Sequence, residues 1–146
     1  MERIASALSA AGHGVTVMPT GCPGDGTHVA RKAVADGADL IISAGGDGTL
    51  NDVINGVACT QVPVAILPAG TANVLAREIG VGTNPLRAAR NLSSLVPRRI
   101  AIGLLHAEGE APRYFVLMAG AGLDAHIIYN LNLPLKSRLG QFAYWV

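Results

Sequence analysis

The segment 39–51, DLIISAGGDGTLN, carries the residues whose types and spacing best fit phosphate chemistry. An apolar run ends in glycines at positions 45, 46 and 48, and these let the backbone approach a ligand because no Cβ atoms stand in the way. A helix that begins here directs its free N–H groups and the positive end of its dipole at an anion. We therefore predict a phosphate-binding turn between a strand and a helix, with Thr49 capping the helix.

A second segment, ILPAGTAN at 66–73, repeats this arrangement: a buried strand is followed by Gly70 and Thr71, which we predict to open another helix. Neighbouring strands of a parallel sheet bring such loops to its carboxyl edge, where α/β folds bind ligands. The two loops together predict a nucleotide site. The chain lacks the Gly-x-x-x-x-Gly-Lys-Ser/Thr and Gly-x-Gly-x-x-Gly spacings, which argues against a P-loop enzyme and a simple hydride-transfer enzyme.

Asp47 is the carboxylate inside the first loop, and its charge repels phosphate. We expect it to face a metal ion or an acceptor hydroxyl group. The alternative interpretation is a tight strand-to-helix turn in which Asp47 is only a cap. The relation to the second loop favours the functional interpretation.

The periodicity of apolar residues predicts helices that alternate with short strands. The predicted helices cover 2–11, 50–57 and 71–79, with another marked by Ala30, Ala33 and Val34 that ends at Gly37 and a further one starting at Asn84-Pro85. The predicted strands are 15–18, 40–43 and 64–67. This order predicts an α/β fold with three layers around a mostly parallel sheet.

After Pro97 the pattern becomes that of a hairpin, with apolar alternation over 99–106 and again over 114–118. We therefore predict two domains. Residues 1–96 form the α/β nucleotide domain, and residues 97–146 begin an antiparallel β-sandwich domain.

Composition restricts the class of protein. The 146 residues are 50% hydrophobic and 14% charged with a net charge of +1, which gives no electrostatic footprint for nucleic acid. No apolar run approaches the ~20 residues of a membrane span, and the N-terminus does not look like a signal peptide. We expect a cytoplasmic globular protein in which Cys22 and Cys59 are free thiols.

The segments 45–56, GGDGTLNDVING, and 67–77, LPAGTANVLAR, resemble the catalytic domain of diacylglycerol kinases, whose wider family includes bacterial lipid kinases, sphingosine kinases and ceramide kinases. The likeness runs from about residue 5 to the C-terminus. It implies a nucleotide domain followed by a β-sandwich, with ATP and Mg²⁺ in the cleft between them and transfer of the γ-phosphoryl group to a lipid hydroxyl. The substrate would then lie at a membrane surface, so the protein would be peripheral there.

Carried over position by position, the resemblance implies ATP contacts from Thr20, Gly45, Gly46, Asp47, Gly48, Thr49, Leu50, Asn51, Asp52, Gly70, Thr71 and Asn73. Asp47 would be catalytic, either as the base that orients the acceptor or as a metal ligand through water, and the metal ligands stay open. Asp124 would contact the lipid headgroup, with a solvated turn residue as the alternative. Position 52 is more often Glu in such proteins.

Related proteins begin with an additional strand and continue well past position 146. The resemblance therefore implies that the first strand of the nucleotide domain is missing and that the sandwich is incomplete. The apolar residues 142–146 would be core of that sandwich, and, if it is not completed, a surface for homodimer formation or aggregation.

Two other functions stay open. NAD kinase shares the GGDGT loop, although the block 68–77 favours the lipid enzymes. The chain could also be a non-catalytic remnant that binds nucleotide weakly or not at all. The sequence does not indicate which lipid would be the acceptor.

Overall fold

The structure is a computed structural model that describes residues 1–120, 122, 125 and 126. The chain divides into two compact units, Met1–Val116 and Leu117–Val146, and the elements below all lie in the first. The helices are α1 (Glu2–Ala10), α2 (Asp25–Ala35), α3 (Asp47–Val57), α4 (Val74–Glu78) and α5 (Pro85–Asn91), followed by a 3₁₀ turn at Leu92–Ser94. The strands are β1 (Ile41–Gly45), β2 (Val64–Pro68), β3 (Gly103–Leu105) and β4 (Arg113–Phe115).

β1 and β2 form a parallel pair, in register from Ile41 opposite Val64 to Gly45 opposite Pro68. Helices cover both faces of the pair, and successive residues of β1 face opposite layers. Ile41 packs with residues of α2 and α3, whereas Ile42 packs with residues of α1 and α5. This arrangement confirms the predicted α/β architecture with a parallel sheet covered on both faces.

Glycine stands at the contact between α2 and α3. A Cβ atom on Gly56 would lie 2.5 Å from the carbonyl oxygen of Thr27 and 2.8 Å from Cβ of Ala30. Backbone atoms cannot move aside for a side chain, so the glycine sets the spacing of the two helices. Their contact fixes the position of α3, whose first turn lies at the carboxyl end of β1.

Three sequence predictions about these elements are wrong. Residues 15–18 form no strand: Val15 packs against the α1–α5 side, but β1 and β2 pair only with each other in the described part of the chain. An apolar alternation predicts extended backbone, whereas a strand also needs a hydrogen-bonded neighbour.

The other two errors concern helix starts. α3 begins at Asp47 with Gly46 as its N-cap, so Thr49 lies inside the first turn and does not cap it. α4 begins at Val74, not at Thr71, because Asn73 adopts a left-handed conformation with φ of 49°. The Asn73 side chain accepts a hydrogen bond from Gly70 N at 2.9 Å and donates one to Gly70 O at 2.7 Å, which closes a turn before the helix.

β3 and β4 pair antiparallel, which confirms the predicted hairpin, with strands shorter than the sequence indicated. The ring of Phe115 lies over Gly103, where a Cβ atom would collide with it. The hairpin belongs to the same compact unit as β1 and β2. The domain boundary at residue 97 and the rest of a β-sandwich stay predictions.

Ser43, in the middle of β1, is 2% exposed, and its Oγ has no hydrogen-bond partner among the described residues. A buried unpaired hydroxyl costs about 1–3 kcal/mol. Replacing Ser43 by alanine should therefore raise the free energy of unfolding by about 1 kcal/mol in urea titrations. Ser94→Ala is the control, because its Oγ donates to Asn91 O at 2.7 Å and its loss should not stabilise the fold. A destabilised Ser43→Ala variant would indicate that a buried water pairs with the hydroxyl.

Candidate functional site

The β1–α3 and β2–α4 loops meet backbone to backbone at the carboxyl edge of the parallel pair. A Cβ atom on Gly46 would lie 3.2 Å from the Cα of Gly70, and a Cβ atom on Gly70 would collide with the Cα of Gly46. Ala69 N also donates a hydrogen bond to Gly45 O at 3.0 Å. The sequence prediction that the two glycine loops lie side by side is therefore confirmed.

The first turn of α3 presents backbone donors at this edge. Its N-cap, Gly46, is extended with φ of −89° and ψ of −173°, and no side chain caps the helix. The first hydrogen bond back to the cap runs from Leu50 N to Gly46 O at 3.0 Å. The N–H groups of the three preceding residues consequently lack a partner within the helix, and the positive end of the helix dipole lies beside them.

Asp47 links the two loops. Its Oδ1 accepts a hydrogen bond from Val74 N, the first residue of α4, at 2.9 Å. It therefore acts as a cap, as in the alternative interpretation, but for the neighbouring helix rather than its own. Its second oxygen, Oδ2, accepts no hydrogen bond from the described residues.

Several residues predicted to contact a ligand point into the protein. Leu50, Asp52 and Asn73 are 2%, 8% and 7% exposed. The side chain of Thr49 folds back over Gly45, where a Cβ atom would lie 2.7 Å from Thr49 Oγ1. Asn51 is half-buried, and its carbonyl oxygen accepts from Asn55 Nδ2 at 2.8 Å.

The remaining predicted residues differ in position. Gly48, Gly70 and Thr71 are exposed at the joined loops. Thr20 is also exposed and precedes the turn that begins α2. Asp124 lies outside the described residues.

The turn after Thr20 is organised by Asp25. Its Oδ2 accepts from the backbone N–H groups of Gly21 and Cys22 at 2.8 and 3.0 Å, and its Oδ1 accepts from Cys22 Sγ at 3.1 Å. The thiol contact, followed by the two N–H groups, lowers the pKa of Asp25 below its usual range. The hydrogen bond to the same carboxylate, followed by its negative charge, raises the pKa of the Cys22 thiol above its usual value.

Sequence reasoning did not predict the contacts that join α3 to β4. Asp52 pairs with Arg113, and Asn55 bonds the backbone of Tyr114. These partners are separated by 61 and 59 positions, and neither pair forms a recognisable motif.

The described residues contain no group of three His, Cys, Asp or Glu side chains arranged to hold a metal ion. No helix among them is long and apolar enough to span a bilayer.

Comparison with known proteins adds to this geometry. The sequence matches the family described as "Diacylglycerol kinase catalytic domain" over residues 1–105. The chain belongs to this family. The resemblance stated from the two glycine segments is thereby confirmed.

Individual members of the diacylglycerol kinase family are also similar. A "Diacylglycerol kinase" of Bacillus subtilis (strain 168) is 36% identical over 149 residues, covering 100% of this chain and 48% of the relative. A "Diacylglycerol kinase" of Staphylococcus saprophyticus is 33% identical over 141 residues, covering 95% of this chain and 45% of the relative. The chain thus spans about half the length of these relatives.

The fold agrees with a solved family structure. A diacylglycerol kinase from Bacillus anthracis str. Sterne superposes with a TM-score of 0.58 at 35% identity, over 64% of this chain and 36% of that one. The α/β fold with a parallel sheet is therefore consistent with this related structure.

Proposed function

We propose that this protein is an ATP-dependent lipid kinase that transfers the γ-phosphoryl group of ATP to a lipid hydroxyl. The observation that carries the proposal is the backbone contact between Gly46 and Gly70 at the uncapped start of α3. Such a contact puts two loops with glycine at their meeting point, together with N–H donors that lack a partner within the helix, at one edge of a parallel sheet, which suits the phosphates of a nucleotide. Membership of the diacylglycerol kinase family supports the reaction class.

The nucleotide would be held mainly by backbone. The N–H groups of residues 47–49 would donate to phosphate oxygens, and the exposed Gly70 and Thr71 would line the opposite side of the site. Thr20 would contact the nucleotide from the turn before α2. The buried residues of the motif, Leu50, Asp52 and Asn73, would then shape the site rather than contact the ligand through their side chains.

Mg²⁺ fits the donor set at this edge. Mg²⁺ in kinases is bound by one or two carboxylates together with substrate phosphates rather than by an all-protein cage. Asp47 supplies a carboxylate with one oxygen engaged by Val74 N and the other turned to no described partner. Bound there with ATP, Mg²⁺ would neutralise charge on the phosphates, a task for which the loops carry no lysine.

Asp47 has two chemical roles open to it. Its Oδ2 could accept the proton of the acceptor hydroxyl, or it could hold the metal through water. Phosphoryl transfer needs mostly positioning and charge neutralisation, so either role places the carboxylate at the reacting group. The hydrogen bond to Val74 N fixes its orientation in both cases.

The acceptor class is proposed as diacylglycerol-, ceramide- or sphingoid-type lipid. Such substrates reside in membranes, so the protein, which we propose is cytoplasmic, would act peripherally at a membrane surface. Asp124 would contact the headgroup. Homodimer formation through residues 142–146 also remains a proposal.

The first test is isothermal titration of the chain with ATP and MgCl₂, followed by incubation with γ-labelled ATP and diacylglycerol, ceramide or sphingosine in mixed micelles. Binding and lipid labelling are the expected results. Labelling of NAD⁺ instead would favour an NAD kinase-like function, and binding without transfer to any acceptor would favour a non-catalytic nucleotide protein. Absence of ATP binding would overturn the proposal.

A substitution at Gly48 distinguishes a phosphate-binding turn from an ordinary tight turn. A Cβ atom on Gly48 would contact nothing within 4 Å, so Gly48→Ala should stabilise α3 by about 0.5–1 kcal/mol. Because residue 48 lies in the turn that carries the N–H donors, the added methyl group should weaken ATP binding about tenfold, the equivalent of one lost hydrogen bond. Urea unfolding and ATP titration measure the two effects. Higher stability with unchanged ATP affinity would argue that phosphate does not bind at this turn.

A further inference from the structure

Asp52 connects three elements through one buried carboxyl group. Its Oδ2 accepts from Gly24 N at 2.7 Å, in the turn that begins α2. Its Oδ1 accepts from Arg113 Nη2 at 3.1 Å, in β4. Its carbonyl oxygen also accepts from Thr27 Oγ1 at 2.9 Å. Both carboxylate oxygens are therefore engaged with protein donors.

Asn55 makes a second connection to the same strand. Its Oδ1 accepts from Tyr114 N at 2.9 Å, and its Nδ2 donates to Tyr114 O at 2.9 Å. A further bond from Nδ2 to Asn51 O at 2.8 Å holds the side chain in place. The amide thus pairs with Tyr114 as a residue of a neighbouring strand would.

The register of the hairpin explains why Tyr114 is available for this pairing. Leu104 of β3 lies opposite Tyr114. In an antiparallel pair, residues alternate between those whose N–H and C=O groups face the partner strand and those whose groups face away. Since the Tyr114 groups bond to Asn55, they face away from β3, and Asn55 covers the outer edge of β4 at this residue.

Asp52 and Asn55 are three positions apart, which places them on neighbouring parts of one helix face. They lie on α3, whose first turn forms the candidate phosphate site. One rigid helix therefore carries the phosphate-binding turn at its start and holds β4 from its middle. The contact to Gly24 adds the turn that follows Thr20 to the same assembly.

We infer that Asp52 and Asn55 are positioning residues that fix the hairpin relative to the phosphate-binding turn for phosphoryl transfer. This inference rests on the proposed function. Neither Arg113 nor Tyr114 contacts the two glycine loops through any hydrogen bond of the described residues, so the hairpin contacts serve the geometry of transfer more than the affinity for ATP. A displacement of about 1 Å can cost on the order of a hundredfold in rate.

The test compares Asn55→Ala, Arg113→Ala and Arg113→Lys with the wild-type chain. Arg99→Ala is the matched control, since Arg99 is an exposed arginine just before the hairpin that bonds Gln61 Oε1 at 2.7 Å and makes no hydrogen bond to α3. We expect Asn55→Ala and Arg113→Ala to lower kcat about tenfold to a hundredfold, with KM for ATP within about twofold of wild type. Arg113→Lys should recover part of the rate, because it keeps the charge beside Asp52.

Amide hydrogen exchange provides a readout that needs no catalysis. Exchange of the Tyr114 N–H should become faster in Asn55→Ala, while exchange of the Leu50 N–H, which bonds Gly46 O at the start of α3, should stay as in the wild type. If the wild-type chain transfers phosphate and both Asn55→Ala and Arg113→Ala keep its kcat, this inference is contradicted while the proposed function stands. Parallel losses of kcat and ATP affinity, with no recovery in Arg113→Lys, would show a merely structural role and would also contradict it. A wild-type chain that transfers no phosphate would contradict the proposed function, and this inference with it.

Discussion

Replacing Asp47 by asparagine is expected to lower phosphoryl transfer at least about a hundredfold without a loss of stability. The amide oxygen of asparagine can accept from Val74 N as Oδ1 of Asp47 does, so the link between α3 and α4 is kept. The negative charge is lost, and with it the capacity to take a proton or to hold Mg²⁺. Initial rates with γ-labelled ATP measure the transfer, and urea unfolding measures the stability.

Asp47→Ala is the comparison that separates chemistry from capping. Alanine removes the acceptor as well as the charge, so it should match asparagine in lost transfer and should also cost about 1 kcal/mol of folding stability. If the asparagine variant is active and only the alanine variant is impaired, Asp47 acts as a cap for α4. Wild-type activity in both variants would show that Asp47 takes no part in phosphoryl transfer.

The parts of the fold that could be predicted are those set by local burial and local chemistry. β1 and β2 were predictable because both faces are covered, which leaves runs such as 64–67 continuously apolar. The start of α5 was predictable because Asn84 and Pro85 are a typical cap and first helical residue. Asn84 Oδ1 indeed accepts from Arg87 N at 2.9 Å.

The two errors at helix starts arose where one residue type suits two local structures. Gly70 and Thr71 suit the opening of a helix, but Asn73 takes a left-handed conformation and turns the chain once more before α4 begins. Asn can adopt the left-handed conformation in a turn, and it can also cap a helix. The periodicity of apolar residues does not distinguish these two local structures. Similarly, Gly46 rather than Thr49 is the N-cap of α3, and the Thr49 side chain packs over Gly45 instead.

The candidate site was predictable in outline and less so in detail. The contact of the two loops followed from parallel neighbouring strands, because their carboxyl ends must lie at one edge. The residues of a contiguous motif, however, lie on opposite sides of a helix, so they cannot all contact one ligand. The apolar period of α3 already indicates that Leu50 points inward. The partners of the Asp52 carboxylate are 28 and 61 positions away, and a single sequence carries no signal that pairs residues at such separations.

One added methyl group can test whether the close contact between the two glycine loops is needed for stability and ATP binding. Gly70→Ala places a Cβ atom against the backbone of Gly46 and 3.0 Å from Asn73 Oδ1, and backbone cannot rotate away as a flexible side chain can. We expect a loss of about 3 kcal/mol in unfolding free energy, the upper end for overpacking. ATP affinity should fall by at least about tenfold, since a shift of Gly46 moves the N–H donors that follow it.

Gly14→Ala is the control for the added methyl group, because Gly14 is exposed and a Cβ atom there would meet nothing within 4 Å. It should change neither stability nor ATP affinity appreciably. Chemical denaturation and calorimetric titration of the two variants side by side make the measurement. If Gly70→Ala unfolds like the wild type and binds ATP as well, the two loops can separate without consequence, and the closeness of Gly46 and Gly70 is then not what builds a nucleotide site.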